Sequence, residues 1–323
     1  MSKILEAVFE PLFLPCSYGF RPEHNCHEAL RALTRCAYNT KDGALIEIDI
    51  RKCFNRIPHN HMLHFLRGKI KDKRLLGLIR KLMTMPIYED GETQASDRGC
   101  PQGSIASPLL CNIFLHYVVD EWFTEISKTH LKGKAELVRY ADDMVFVFEK
   151  TEDAERVYRV LGKRLSKFGL EMHEEKSSLL PFGNRVATRM AGINQKVPTF
   201  MFLGFTCYWG QARKGFWRLK YKSRQDRFTA TLKRLKVFLR EHLNTDDEER
   251  LLRSVIRRVK GWINYHAISD NARRVSGFIL NVKRILLRWY NRRSQRKPMT
   301  WEKLTKRLDK LKFPTSFKII SMF

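Results

Sequence analysis

The chain has 323 residues, 43% of them hydrophobic, enough for one large domain or two packed ones. Its 61 Lys and Arg stand against 34 Asp and Glu, and the formal charge of +27 points to a polyanion, most simply nucleic acid. No run of about 18 apolar residues occurs and Met1 to Glu6 lacks the form of a secretory signal, so no membrane partner is expected, while an odd count of mostly apolar-flanked cysteines fits a reducing cytoplasm.

Ile4, Leu5, Val8, Phe9 and Leu12 have helical spacing, and Pro15 ends the run. Ser17-Tyr18-Gly19-Phe20-Arg21-Pro22 reads as a loop, followed by a helix with Ala29, Leu30 and Leu33 on one face. Residues 44–50 alternate. Ile46, Ile48 and Ile50 face one way, and Leu45, Glu47 and Asp49 the other, which makes a strand with an acid near its end. A basic, helix-rich stretch runs to Met85, and residues 86–98 read as a hairpin turning at Asp90-Gly91. After the loop Gly99 to Ser104, Ser107-Pro108 opens a helix with Leu110, Ile113, Phe114, Tyr117 and Val118 as its apolar face.

Residues 137–148 hold two apolar, β-branched and aromatic runs around a tight turn carrying Asp142 and Asp143, the pattern of a hairpin. Thr151 is the expected cap of a helix whose stripe is Ala154, Val157, Tyr158, Leu161, Leu165 and Phe168, stopped by Gly169. Phe200 to Phe205 is a further strand, read as one arm of a hairpin that continues to Trp217. From about residue 223 helical periodicity dominates. Leu251, Leu252, Val255, Ile256, Val259, Trp262 and Ile263 oppose Arg253, Arg257, Arg258 and Lys260. Phe278, Val282, Ile285, Leu286 and Trp289 are ringed by Lys283, Arg284 and Arg288, and residues 291–298 read as a basic linker. A boundary near 222 therefore separates residues 1–222 from a helical bundle at 223–323. The seven cysteines include no C-x-x-C pair, so neither a zinc site nor a disulfide framework is expected.

Asp142 and Asp143 alone would be ordinary turn residues, since Asp is common there. Asp49 on another strand changes the reading. Phosphoryl transfer by two metal ions needs carboxylates from adjacent strands, and a cation offsets the cost of bringing them together.

Tyr140-Ala141-Asp142-Asp143 resembles the catalytic box of reverse transcriptases. Four more blocks follow the same family's order: Ser17 to Pro22; Asp49 with Phe54; Pro101-Gln102-Gly103-Ser104 through Ser107-Pro108-Leu109-Leu110 and Asn112; and Phe202-Leu203-Gly204-Phe205. Together they resemble the group II intron reverse transcriptases, or maturases, and Asp270-Asn271, Trp289 and Arg292-Arg293-Ser294 resemble their thumb region. The resemblance implies an α+β fold. A polymerase palm, an antiparallel sheet with helices on one face, would carry partial fingers and be followed by an all-α thumb or maturase bundle.

It also implies roles. Asp49 and Asp142 would ligate two Mg²⁺ with the carbonyl of Ile50, and Asp143 would be a third, less direct acid. Phe54 would sit under the sugar of the incoming dNTP and exclude a 2′-hydroxyl, although a core aromatic is the alternative. Lys52, Cys53, Gln102, Gly103 and Tyr140 would complete the nucleotide site, with a plain loop amide the alternative for Gln102. Lys176 would protonate the leaving pyrophosphate, or be a solvated surface residue. Phe202, Leu203 and Gly204 would grip the primer. Arg253, Arg257, Arg258, Lys260, Arg284, Arg288, Arg292 and Arg293 would bind RNA. The implied function is RNA-directed DNA synthesis on an RNA template from a DNA or RNA primer, together with binding of the chain's own intron RNA to assist splicing and mobility. A non-catalytic RNA-binding splicing cofactor, or a reverse transcriptase recruited to defence, remains open. The chain departs from the family at its start, where basic finger strands would precede Ile4. Either it is truncated or mis-started there or it works with a reduced fingers domain, and no DNA-binding or nuclease extension is expected at its other end.

Overall fold

A computed structural model describes residues 1–85, 87–89, 92–94, 97–100, 104–293 and 298–323. Two compact units are present. One holds residues 1–203 and 209–219 with Phe323, and the other residues 204–208 and 220–322.

In the first unit, α1 (Ser2–Phe9) passes into a 3₁₀ turn at Glu10–Leu12 that contains Pro11, so the opening helix ends before Pro15. The second helix, α2 (Cys26–Asn39), is capped by Asn25, whose side chain accepts from the N–H groups of His27 and Glu28. Next come β1 (Gly43–Ile48), α3 (Cys53–Arg56), α4 (His59–Lys69), α5 (Lys73–Met83), β2 (Ile87–Glu89) and β3 (Glu92–Gln94). The short β2–β3 pair is antiparallel, as expected, and the proposed turn Asp90-Gly91 lies outside the described residues. After it run α6 (Ser107–Leu115), α7 (Glu121–Thr129), β4 (Ala135–Tyr140), β5 (Asp143–Phe148), α8 (Thr151–Lys167), β6 (Ser178–Phe182), α9 (Asn184–Gly192) and β7 (Thr199–Phe202).

The central sheet is antiparallel in the order β4-β5-β1-β6. Ala44, Ile46, Ile48, Met144, Phe146 and Phe148 face one side and pack with Met62, Leu66, Ile79, Phe114, Leu161 and Leu165 from the helices. Helices are not confined to that side. Cys36 of α2 donates to Glu136 of β4 at 2.8 Å, and Glu136 points to the opposite face.

Three local readings differ from the structure. Between Ser107 and Leu115 every residue but Pro108 is buried, so α6 is enclosed all round and carries no single apolar stripe. A π turn at His116–Asp120 joins it to α7. Thr151 is the first residue of α8 and not its cap, since Lys150 holds that position with no side-chain cap bond. Phe200 to Phe205 is not one strand. Leu203 and Gly204 both have positive φ and turn β7 into β8 (Phe205–Gln211), which is followed by β9 (Trp217–Ser223) in a three-stranded sheet.

Both β8 and β9 give residues to the two units, so the division runs through this sheet and not across a single linker. The second unit is otherwise helical: α10 (Gln225–Glu241), α11 (Glu248–His266), α12 (Ala272–Arg293) and α13 (Trp301–Lys310). Leu251, Val255, Val259, Phe278, Val282, Leu286 and Trp289 form its core with Leu304 and Leu308. Asn291, Arg292 and Arg293, read above as linker, are the last turn of α12. Asn271 is fully buried. It accepts from the Ser223 N–H at 2.9 Å and donates to the Ser223 hydroxyl and the His266 carbonyl, both at 2.8 Å.

Candidate active site

The hairpin β4–β5 closes through two residues, Ala141 and Asp142. Only Ala141 of the pair has positive φ, +57°, a conformation costly for a residue with a Cβ. Asp142 therefore rides the turn, and Asp143 is the first residue of β5. The β1–β5 register pairs Ile48 with Met144, so its continuation sets Asp49 opposite Asp143 and Ile50 opposite Asp142. Glu47, Asp49 and Asp143 share the face away from the main core.

Asp49 is held by its backbone. Its N–H donates to Ser177 Oγ at 3.2 Å, and its carbonyl accepts from His173 N–H at 2.8 Å. Ile50 bridges Met172 through bonds carried by its neighbours Asp49 and Arg51. Its own carbonyl thus turns to the other edge, the side of β5. Burial, and then the charge of Asp49, push the carboxyl of Asp142 above the usual carboxylate range. Lys176 Nζ lies 3.7 Å from Asp49 Oδ2, with both side chains substantially exposed.

Asp143 is differently engaged. Its Oδ2 accepts from the Leu203 N–H at 2.9 Å, while Glu47 Oε1 accepts from the Met201 N–H at 3.1 Å. The acid-bearing face thus anchors the end of β7. Among the described residues, no group of three or more His, Cys, Asp and Glu is arranged to hold a metal. The structure brings Asp49 and Asp142 together as a pair and commits Asp143 to a backbone partner.

The residues after Asp49 divide. Lys52 is exposed and left-handed at φ +46°. Phe54 is half-buried at the core's edge. Cys53 does not line the site: it is 1% exposed, with its sulfur 3.8 Å from that of Cys111, because the α3 turn points it inward. Tyr140 is half-buried, with Phe20 at 6.2 Å between ring centres. Gln102 and Gly103 lie outside the described residues. Phe202 is buried, Leu203 nearly so, and Gly204 has φ +75°.

Arg139 was missed by sequence reasoning. It is fully buried on the core side of β4 and joins four segments. The guanidinium donates to both oxygens of Asp120, to Asn112 Oδ1 at 3.0 Å, to Ser17 Oγ at 2.8 Å and to the carbonyl of Ala141 at 3.0 Å. Burial pushes the His116 pKa down, which keeps that ring neutral beside Asp120 and leaves Arg139 as the counter-charge. Asn112 also donates to the Gly19 carbonyl. A Cβ on Gly19 would stand 2.4 Å from the Ala141 nitrogen, so the Ser17 to Pro22 loop packs directly on the acid turn. A signal was available: an Arg at an inward register position, with Asp120 in an otherwise apolar helical run, implies a buried pair.

A family model described as reverse transcriptase (RNA-dependent DNA polymerase) matches residues 1–207. The chain belongs to the reverse transcriptase family. Among its relatives is the group II intron-encoded protein LtrA of Lactococcus lactis subsp. cremoris, 32% identical over 184 residues, covering 54% of this chain and 29% of the relative. An uncharacterized 91 kDa protein in the cob intron of Schizosaccharomyces pombe is 41% identical over 138 residues, covering 42% of this chain and 16% of the relative. A putative COX1/OXI3 intron 1 protein of Saccharomyces cerevisiae is 28% identical over 244 residues, covering 60% of this chain and 28% of the relative. These names bear out the resemblance to intron-encoded members of the family. Each match spans less than a third of the relative's length. The apo telomerase of Candida tropicalis, 14% identical, aligns over 98% of this chain and 51% of its own with a TM-score of 0.50, so the two share a fold.

No helix among the described residues is long and apolar enough to cross a membrane. On the second unit Arg257, Arg258, Lys260, Arg284, Arg288 and Arg292 are exposed. Arg258 lies over the Phe238 ring, and Arg288 and Arg292 line a small cavity beside Trp289. Arg253 is paired with Glu249 at 2.6 Å, and Arg293 donates to the Thr245 carbonyl at 2.8 Å and lies 3.6 Å from Glu248.

Proposed function

We propose that the chain is an RNA-directed DNA polymerase of the group II intron-encoded type that also binds its intron RNA to assist splicing. The observation that carries the reading is the meeting of Asp49 and Asp142, where burial and like charge disfavour the ionised state of Asp142. That donor set fits divalent cations, with the Ile50 carbonyl as a further oxygen. Two Mg²⁺ held there would supply a lowered pKa to the primer 3′-hydroxyl and neutralise charge at the reacting phosphate.

The chain's own groups do the rest. Phe54 sets a wall under the sugar, which favours dNTP over rNTP on steric grounds. Lys52 and Tyr140 border the nucleotide. Lys176, already beside Asp49, is a candidate to deliver a proton to the leaving pyrophosphate. Asp143 fixes the Leu203-Gly204 turn, which is a candidate primer grip. Arg257, Arg258, Lys260, Arg284, Arg288 and Arg292 offer positive charge to RNA phosphates, and paired Arg253 and Arg293 offer less of it.

The test is dNTP incorporation on a primed RNA template with Mg²⁺. Wild type should extend the primer, and Asp142→Asn should lose about a thousandfold in rate or more, a loss of several kcal/mol in transition-state stabilisation. Equal rates would overturn the mechanism. Salt-sensitive intron-RNA binding with no incorporation by wild type would mark a splicing cofactor without polymerase activity.

A further inference from the structure

We propose that a hollow between α4, α5 and the end of α8 docks the phosphodiester backbone of a folded RNA, as a second contact outside the acid hairpin. The proposal rests on the RNA-directed reading for the identity of the anion. The hollow has a volume of about 730 Å³, and its charged lining is Arg67 of α4, Arg80 of α5, Arg98 and Lys167 of α8, opposed only by Asp97 among the described residues. The Asp97 side chain is 90% exposed and stands 3.9 Å from Arg98 Nε. Asp49, Asp142 and Asp143 take no part in it.

Two observations mark it as built for an anion. Some surface cations meet carboxylates, such as Arg189 with Asp42 at 3.0 Å and Arg307 with Glu248 at 2.6 Å. Among the described residues, Arg67, Arg80 and Lys167 have no carboxylate within ion-pair distance, although they come from three helices around one space. Like charges gathered in this way repel unless a counter-charge joins them. The second observation is His59, which lines the hollow, is 7% exposed, and donates Nε2–H to the Gly99 carbonyl at 2.7 Å. Its buried Nδ1 has no partner, a condition native proteins rarely leave unmet. His59 thus adds an unsatisfied polar atom to the wall of the hollow, beside the cations. Cations on three separate helices around an open hollow suit several spaced phosphates better than one small oxyanion.

The test uses the full chain with Arg67→Gln plus Arg80→Gln, and separately Lys167→Gln. All three side chains are exposed, so folding should be unaffected. Binding of a folded intron transcript is measured against salt, beside primer extension on a short oligo(dT)-primed poly(rA) template. The double variant should bind the transcript about tenfold more weakly, with a salt slope shallower by about one for each contact removed. Extension should keep its wild-type rate. Unchanged affinity and slope in both variants would overturn the proposal. So would saturable binding of inorganic phosphate that the double variant loses while transcript binding stays intact, because the site would then belong to a small anion. Failure of wild type to extend the primer would sink the polymerase reading and leave the binding comparison to decide this one.

Discussion

Asp142 sits where two effects add. Burial first, and the facing Asp49 second, raise its pKa above the ordinary value. A carboxyl whose folded-state pKa exceeds its unfolded one penalises folding once ionised. The penalty is absent below the unfolded pKa, grows as pH rises between the two values, and is complete above the folded one. Metal-free Asp142→Asn should therefore melt above wild type at about pH 8, with the difference closing as pH falls below the ordinary carboxylate range. Mg²⁺ should raise the melting temperature of wild type more than that of the variant, since a ligand bound only by the folded state stabilises it. A metal-free variant that melts lower at alkaline pH would contradict this account. Phe54 carries a separate expectation. Phe54→Ala should cut discrimination against rNTP by about ten- to a hundredfold, read as a ratio of kcat/KM values for single-nucleotide incorporation. Asp49 and Asp142 were legible as acids at a strand end and in a hairpin turn, whereas the role of Phe54 came only from the resemblance to reverse transcriptases. Cys53 was not legible, because its neighbours in sequence do not tell which way a four-residue helix points it.

The hairpin β4–β5 is an element that cannot hold its own turn. Ala141 is in a left-handed conformation, and the groups that hold it there come from elsewhere: Arg139 on its carbonyl and the Gly19 backbone against its nitrogen. Gly19→Ala should cost about 1–3 kcal/mol, the usual price of overpacking, and lower the incorporation rate more than RNA affinity. Arg139→Met leaves Asp120 buried without its partner and should cost about 3–5 kcal/mol by chemical denaturation; a variant as stable as wild type would show the network to be dispensable. The sequence displayed each strand of this device but not its wiring. Period-two alternation assigns Arg139 to the core side of β4 without naming the partner, because Asp120 lies across a π turn that breaks the helical spacing. The Leu203-Gly204 turn was hidden for a simpler reason: Leu is an unusual residue for positive φ, so an apolar run concealed the reversal.

At the scale of the whole molecule, charge decides. With +27 in 323 residues, RNA affinity should fall about 10³- to 10⁵-fold between 50 and 200 mM salt if 6–10 phosphates are contacted. The cations are not equivalent, however. Arg257→Ala should flatten the salt slope by about one, whereas Arg253→Ala should flatten it less, because Glu249 already neutralises Arg253. Equal slopes for the two variants would show that intramolecular pairing does not limit their use. Composition made the sign and size of this field readable. The pairing was not, since Glu249 and Arg253 share a helix face whether or not they bond. The helical second unit was likewise plain from its periodicity, but its edge was not, because strands β8 and β9 serve both units and a chain position alone cannot express that.

The bond from the Leu203 N–H to Asp143 has a use that needs no substrate. The amide hydrogen of Leu203 is engaged by Asp143 while its turn rests on the acid face. Its exchange with solvent deuterium is therefore a clock for the lifting of that turn. Read residue by residue, a faster clock in Asp143→Asn with unchanged exchange in β4 and β5 would give the frequency of that opening in the resting protein.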